Sequence, residues 1–106
     1  MNNSDFIHLH CHSEYSLLDG LGSPKQYAER AKELGFKAIS VTDHGNIDAH
    51  LEWQNACKKA GIKSILGSEL YIVEDMSKKE RGETREHMTI LVKDFEGWKA
   101  LARMLT

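Results

Sequence analysis

The sequence of 106 residues predicts an α/β domain with mainly parallel strands and the element order β-α-β-α-β-loop-β-α. Two observations predict this class. Short apolar segments with strand character alternate with segments whose apolar residues recur at helical spacing, which is typical of βαβ units around a parallel sheet. Histidine, aspartate and glutamate residues follow the ends of predicted strands, where such folds place their binding and catalytic groups.

Four segments have the composition of strands. They are expected at residues 6–9, 36–42, 62–66 and 87–93, and the apolar pattern of the third continues through residue 73. Residues 74–86 carry many charges of both signs, which favours a solvated loop between the third and fourth strands.

Three helices are predicted, and capping signals set their ends. Ser23 is the expected N-cap of the first helix, with Pro24 at the first helical position and Gln26 completing a capping box. Gly35 and Gly61 are expected to end the first and second helices, because glycine adopts the left-handed conformation that closes a helix.

The second and third helices also have polar residues at their expected starts. Asn46 is expected to cap the second helix, which runs to about residue 59 or 60, and Asp94 is expected to cap the third. The predicted buried stripes are Ala49, Trp53, Ala56 and Ala60 on the second helix, and Trp98, Leu101, Ala102 and Leu105 on the third.

The composition is that of a small soluble domain. Hydrophobic residues make up 41% and charged residues 28%, and the net charge of -2 gives no overall basic field for nucleic acid. The two cysteines, Cys11 and Cys57, form neither a CxxC pair nor a disulfide framework, so a reducing, cytoplasmic setting is expected. We find no signal-peptide pattern and no apolar run long enough to cross a membrane.

Histidines concentrate at the end of the first predicted strand. Since residues two apart on a strand point to one face, His10 and His12 project together, and His8 joins them if the strand runs straight. Asp19 adds a carboxylate beyond the following turn. A surface run of histidines is the alternative, and the residues at the ends of the other strands weigh against it.

Further candidates lie at the ends of the other predicted strands. His44 is expected to be a metal ligand rather than a helix cap, whereas Asp43 is expected to orient a neighbour or its own loop. Glu69, at the end of the third strand, is expected to be a ligand rather than a solvated surface residue. His87 begins its strand instead of ending it, so its inclusion in the site needs a separate reason.

These residue types point to metal-assisted phosphate chemistry. Histidine nitrogen together with carboxylate oxygen suits zinc, manganese or iron, and several such ligands around one cleft could hold two or three ions. Paired metal ions stabilise the attacking and leaving oxygens of a phosphoryl displacement, so hydrolysis of a phosphate ester is expected. The sequence has no Gly-rich phosphate loop and no Ser-His-Asp pattern, and Ser13 and Ser16 are expected to be turn residues.

Other residues near these motifs have structural interpretations. His50 lies in the second predicted helix and is expected at the surface. Cys11 alternates with His10 and His12, so it is expected to face the core. Tyr15 fits either a core aromatic residue or a wall of the site, and the sequence does not choose between them.

Four segments occur in the order of a known family's motifs. They are His10-Cys11-His12-Ser13-Glu14-Tyr15-Ser16-Leu17-Leu18-Asp19-Gly20, Thr42-Asp43-His44-Gly45-Asn46, residues 60–71 and residues 87–98. Together they resemble the PHP (polymerase and histidinol phosphatase) domain, in the form found at the N-terminus of bacterial replicative DNA polymerase III alpha subunits. The resemblance extends from residue 6 to residue 106. Ser64 and Ser68 stand where the polymerase pattern more often has proline and cysteine, and neither difference removes a ligand.

The resemblance implies the front part of a distorted (β/α)7 barrel with a trinuclear metal site at its C-terminal face. The implied ligands are His10, His12, Asp19, His44, Glu69 and His87. His8 has no clear counterpart among the family's ligands, and His8 and Asp43 are expected to support the ligands without binding metal themselves. The implied cofactors are divalent ions, zinc or manganese, with iron or magnesium as alternatives, and up to three in the complete domain. The implied partners are DNA and the other replicase subunits, without a membrane.

Length sets a further expectation. A complete barrel of this kind needs roughly twice this chain, so residues 1–106 are expected to be an incomplete, N-terminal part of the domain. The later strands and the polymerase core would be absent. An incomplete barrel exposes a sheet edge, so we expect the chain to self-associate through that edge.

Three functions are open at this point. The first is a phosphoesterase site in a DNA-directed DNA polymerase (a nucleotidyltransferase), acting as a 3′–5′ proofreading exonuclease or on pyrophosphate. The second is a small-molecule phosphatase of the histidinol-phosphatase type, which the polymerase-like context of the first and third motifs argues against. The third is a non-enzymatic module in which metal stabilises the polymerase.

Overall fold

The computed structural model describes residues 6–16, 20–72 and 86–106, and these residues form three helices and three strands. The helices are α1 (Pro24–Glu33), α2 (His50–Ala60) and α3 (Phe95–Leu105), and the strands are β1 (Ala38–His44), β2 (Lys63–Ile72) and β3 (Glu86–Leu91). The predicted α/β class is confirmed. The predicted charged loop lies outside the described residues, apart from residue 86.

The three strands form one sheet in the order β1-β2-β3. β1 and β2 run parallel, and their carboxyl ends meet with His44 opposite Glu69. β3 runs antiparallel to β2, with His87 opposite Tyr71. The first residues of β3 therefore lie at the carboxyl end of β2. This direction supplies the separate reason for placing His87 near the other candidate ligands.

The first predicted strand, at residues 6–9, is not a regular strand. The segment still lies beside β1, because the Ser40 amide donates to the His8 carbonyl at 3.1 Å and the Thr42 amide donates to the Cys11 carbonyl at 2.8 Å. The two acceptors are three residues apart while the donors are two apart, so the register shifts by one residue. The Cys11 amide donates to the Thr42 hydroxyl at 3.0 Å rather than to a backbone carbonyl. The strict alternation expected for a straight strand is therefore lost.

Most helix ends follow the predicted capping signals. The Ser23 hydroxyl accepts a hydrogen bond from the Gln26 amide, and the Gln26 side chain accepts one from the Ser23 amide. Gly35 and Gly61 adopt φ angles of 80° and 79° after α1 and α2. The Asp94 carboxylate caps α3 by accepting an amide hydrogen bond in the first turn. The local signals at these positions are confirmed.

The start of α2 differs from the prediction. The helix begins at His50 and has no side-chain cap, rather than beginning after Asn46. The Asn46 side chain instead accepts from the Asp48 amide and donates to the Tyr15 and His44 carbonyls, each at 3.2 Å. Asn46 therefore organises the loop between β1 and α2, and the helix starts only after that loop.

The core lies where α1 and α2 pack on β1. Its buried members are Ala28, Ala31, Ile39, Val41, Ala49, Trp53, Cys57 and Ala60. Cys11 and Tyr15 pack against this core, and the Tyr15 hydroxyl donates to Glu52 at 3.1 Å. Of the stripe predicted for α3, Leu101 is fully buried and the other three residues are partly exposed. None of the described helices has both the length and the apolarity needed to cross a lipid bilayer.

Gly67 marks a close approach of β2 and β3. A Cβ atom built at this position would lie 2.2 Å from the carbonyl oxygen of Ile90, which is closer than any normal contact. The obstructing atom belongs to the backbone, so a side chain at residue 67 would have to push the two strands apart. The spacing of β2 and β3 therefore requires glycine.

We predict that Gly67→Ala lowers the free energy of unfolding by about 1–3 kcal/mol or more, because β3 must move away from β2. Gly97→Ala is the matched control, since a Cβ there meets its nearest atom, Asp94 Oδ1, at an ordinary 3.5 Å and alanine favours a helix. Urea denaturation of the three proteins measures both effects. Equal unfolding free energies for the wild type and Gly67→Ala would contradict the close approach.

Candidate metal centre

A single carboxylate, that of Glu69, lies at the centre of a cluster of histidines. Its Oε2 atom lies 3.0 Å from His10 Nε2, 2.7 Å from His12 Nε2 and 3.4 Å from His44 Nδ1. Its Oε1 atom lies 2.9 Å from His87 Nδ1. The structure thus brings five of the six predicted ligands together around one side chain.

Four chain segments supply these side chains: the segment that contains His10 and His12, and the strands β1, β2 and β3. The parallel pairing of β1 with β2 places His44 directly opposite Glu69 at the carboxyl end of both strands. The antiparallel pairing of β3 places Thr89 opposite Glu69, and His87, two residues earlier in β3, shares the same face. His10 and His12 belong to the N-terminal segment that lies beside β1, on the edge of β1 that does not pair with β2.

Exposure to solvent differs across the cluster. The Glu69 side chain is 7% exposed, and His12 and His44 are also largely covered. His10 and His87 are 56% and 47% exposed. The cluster is therefore closed on the side of the sheet and open to solvent past His10 and His87, where a substrate can approach.

The electrostatics of the cluster favour an anion at its centre. Burial raises the pKa of Glu69, but hydrogen bonds with His10 and His12 and the charges of His44 and His10 outweigh burial and lower this pKa to about 2. Glu69 is therefore ionised at neutral pH. Several imidazoles within reach of one buried carboxylate form a site that suits a cation.

The donor atoms form two overlapping groups that fit divalent metal ions. One group is His10, His12 and Glu69, and the other is His44, Glu69 and His87. Within each group the ligand atoms lie within 4.8 Å of one another, and the Glu69 carboxylate belongs to both. Imidazole nitrogen with carboxylate oxygen is the set that zinc, manganese and iron accept. The residues present could therefore hold two ions that share Glu69.

Asp43 has a different position from the ligand candidates. Its side chain is buried, and both carboxylate oxygens accept hydrogen bonds from the loop that follows His12. Ser13 donates to Oδ1 and Oδ2 through its amide and hydroxyl, and the Ser16 hydroxyl donates to Oδ1. Ser13 and Ser16, expected as turn residues, therefore bind a buried carboxylate as well.

Of the other predicted site residues, the structure describes His8 and not Asp19. The ring of His8 lies 4.7 Å from the ring of Phe6 and 5.4 Å from that of Phe36. The register shift beside β1 turns His8 toward these aromatic residues, so the structure does not bring it to Glu69. Asp19 lies outside the described residues, and its role as a ligand stays a prediction.

His50 is buried, which corrects the expectation of a surface position. Its Nε2 lies 2.7 Å from the Gly67 carbonyl oxygen, and its Nδ1 accepts from the Trp98 indole N–H at 3.0 Å. Burial lowers the pKa of His50, while the bond to Gly67 and the charge of Asp43 act in the opposite direction. His50 precedes Trp53 by three residues, so helical spacing on the apolar stripe was the signal for its burial.

Tyr71 is a neighbour of the cluster that sequence reasoning did not single out. Its ring is nearly parallel to that of His44 with centroids 6.3 Å apart, and it meets the His87 ring edge-on at 4.8 Å. Tyr71 is half exposed and borders the open side of the cluster. Its spacing of two residues from Glu69 along one strand was the signal that both share a face.

Comparisons with known proteins identify the family of the chain. The PHP domain family model matches residues 8–106. Curated relatives include DNA polymerase III subunit alpha of Helicobacter pylori, 48% identical over 101 residues, and of Treponema pallidum, 41% identical over 105 residues. These matches cover 93% and 95% of this chain but 8% and 9% of the relatives. The chain therefore spans less than a tenth of the length of these two relatives.

Solved structures with a similar fold include an amidohydrolase from Chromobacterium violaceum, with a TM-score of 0.69 and 28% identity. Another, from Bifidobacterium adolescentis, is described as a metal-dependent phosphoesterase and has a TM-score of 0.65 at 24% identity. These alignments cover 93% and 92% of this chain and 31% of each of those chains. The family model covers nearly the whole chain, and the chain therefore belongs to the PHP domain family.

Proposed function

We propose that the chain is the N-terminal part of the PHP domain of a bacterial replicative DNA polymerase III alpha subunit. In this proposal the histidine cluster, completed by Asp19, binds divalent metal ions and hydrolyses phosphate esters. The reaction proposed is removal of nucleotides from the 3′ end of DNA as proofreading, or hydrolysis of the pyrophosphate that DNA synthesis releases. DNA and the other replicase subunits are the proposed partners, in the bacterial cytoplasm.

One observation carries the proposal: the four imidazoles around the Glu69 carboxylate. A surface run of histidines would not place residues from three segments around one buried, ionised carboxylate. The polymerase part of the proposal is supported by relatives at 34–48% identity that are named DNA polymerase III subunit alpha. Nitrogen-rich donor sets favour zinc or manganese over magnesium, with iron as an alternative.

Divalent ions bound here would lower the pKa of a water molecule and neutralise charge on phosphoryl oxygens. The chain's own residues account for binding and access. Glu69 and the covered His12 and His44 form the floor of the site, and their restricted exposure keeps them in fixed positions. The exposed His10 and His87 border the opening through which a phosphate ester reaches that floor.

We also propose that this chain of 106 residues self-associates through the outer edge of β3. Among the described residues no strand pairs with that edge, and Met88 and Leu91 in β3 are 50% and 39% exposed. An unpaired edge with apolar side chains is a template for a second chain. Light scattering at rising protein concentration is expected to report dimers or larger species. A monomeric mass at high concentration would contradict this proposal.

The enzymatic proposal is tested with the purified chain incubated with Zn²⁺ or Mn²⁺. We predict release of nucleotides from the 3′ end of a single-stranded oligonucleotide, or of phosphate from pyrophosphate. Glu69→Gln is expected to abolish the activity, because the amide removes the charge that holds the cations. Glu33→Gln is the matched control, since Glu33 is an exposed residue of α1 that pairs with Arg30.

Other outcomes of the same assay would overturn the proposal. Hydrolysis of an amino-alcohol phosphate such as histidinol phosphate, without action on DNA or pyrophosphate, would assign a small-molecule phosphatase. Metal bound by the wild type without hydrolysis of any of these substrates would assign a structural module. Activity that persists in Glu69→Gln would show that the histidine cluster is not the site of hydrolysis.

A further inference from the structure

A second polar cluster lies directly behind the candidate metal centre. It consists of the side chains of Ser13, Ser16, Asp43 and Ser68, here called the serine clamp. All four residues are buried, with at most 1% of each exposed. Buried hydroxyls and a buried carboxylate require hydrogen-bond partners, and these four residues supply partners to one another.

The bonds of the serine clamp are short. Ser13 donates to Asp43 through its amide and its hydroxyl, both at 2.6 Å, and the Ser16 hydroxyl donates to Asp43 Oδ1 at 2.9 Å. The Ser68 hydroxyl donates to the Asp43 backbone carbonyl at 2.9 Å. The Asp43 carboxylate binds the loop that carries Ser13 and Ser16, and its backbone carbonyl binds Ser68 of β2, so Asp43 ties three chain segments together.

Each bond of the serine clamp reaches the neighbour of a candidate metal ligand. Ser13 follows His12, and Ser68 precedes Glu69. Asp43 precedes His44, and the Ser16 hydroxyl accepts a hydrogen bond from the His44 amide at 3.0 Å. Adjacent residues of an extended chain point to opposite faces, so the ligands face the open side and the clamp faces the interior.

We propose that the serine clamp positions His12, His44 and Glu69 for metal binding, and that the affinity of the centre depends on it. The inference rests on the proposed metal site and adds residues that support it from behind. The backbone of each ligand is fixed through its neighbour, and only the imidazole or carboxylate has to orient. Outer hydrogen bonds of this kind tune metal affinity by about 10- to 100-fold.

The test compares Co²⁺ binding, followed by its visible absorption, in the wild type and in clamp variants. Asp43→Asn keeps the volume of the side chain but replaces one acceptor oxygen with a donor, and it is expected to weaken Co²⁺ binding about 10- to 100-fold. Ser16→Ala is the milder second variant, which removes the acceptor for the His44 amide, and Ser16→Thr is expected to restore affinity. Ser40→Ala is the matched control, because Ser40 is a buried serine of β1 outside the clamp.

Thermal unfolding of the same variants separates positioning from general stability. If the clamp positions the ligands, Asp43→Asn and Ser16→Ala bind Co²⁺ more weakly than the wild type even at temperatures where each variant is fully folded. Unchanged affinity in folded Asp43→Asn and Ser16→Ala would overturn the inference, and so would an equal loss of affinity in Ser40→Ala.

A measurement without metal distinguishes failure of this inference from failure of the proposed function. Histidine side-chain NMR spectra of the metal-free chain are expected to show shifted His12 and His44 signals in Ser16→Ala and unchanged ones in Ser40→Ala. A wild type that binds no Co²⁺ would overturn the proposed metal site, and the metal-free spectra would still decide the clamp. Identical spectra for the wild type and Ser16→Ala would overturn the clamp.

Discussion

The candidate site depends on the contacts of four imidazoles with one ionised carboxylate, that of Glu69, at the carboxyl end of β2. Glu69 lies in this position because β1 and β2 pair in parallel with His44 opposite it. The antiparallel direction of β3 then brings His87 to the same edge. Moving any of these strands by one residue would turn a ligand to the opposite face of the sheet. The register of the sheet is therefore also the geometry of the candidate site.

The segments that carry the candidate ligands present the metal centre on one face and the serine clamp on the opposite, buried face. On one face the side chains of His12, His44 and Glu69 meet in the candidate metal centre. On the buried face their neighbours Ser13, Asp43 and Ser68 bond to one another beside a core of small residues and Trp53. The hydrogen bonds on the buried face thus hold the same backbone segments that carry the candidate ligands on the other face. In this way a chain of only 106 residues supports a polar, partly open site.

Local signals predicted much of this arrangement. The capping residues Ser23 and Asp94 and the glycine at 61 gave helix ends that the structure confirms, because capping depends on a few adjacent residues. His10, His12, His44 and Glu69 could be selected because the carboxyl ends of neighbouring strands in α/β folds share one edge. His87 begins its strand, and it was included through the family resemblance alone.

Features that depend on distant partners were not predicted. The direction of β3 depends on its pairing with β2, and nothing within residues 86–91 indicates which way the strand runs. His50 was expected at the surface because its partners, Gly67 and Trp98, are 17 and 48 residues away. The irregular backbone near residue 11 depends on the hydroxyl of Thr42, 31 residues further along. Sequence periodicity describes one element at a time and does not contain these contacts.

If Glu69 anchors bound metal, the metal content of the purified chain depends on the Glu69 carboxylate. The chain would be purified, reconstituted with Zn²⁺ or Mn²⁺, freed of excess ion and subjected to elemental analysis beside Glu69→Gln and Glu33→Gln. The wild type and Glu33→Gln are expected to retain metal, whereas Glu69→Gln is expected to lose it while remaining folded. Equal metal content in all three proteins, or none in the wild type, would show that Glu69 does not anchor a metal ion.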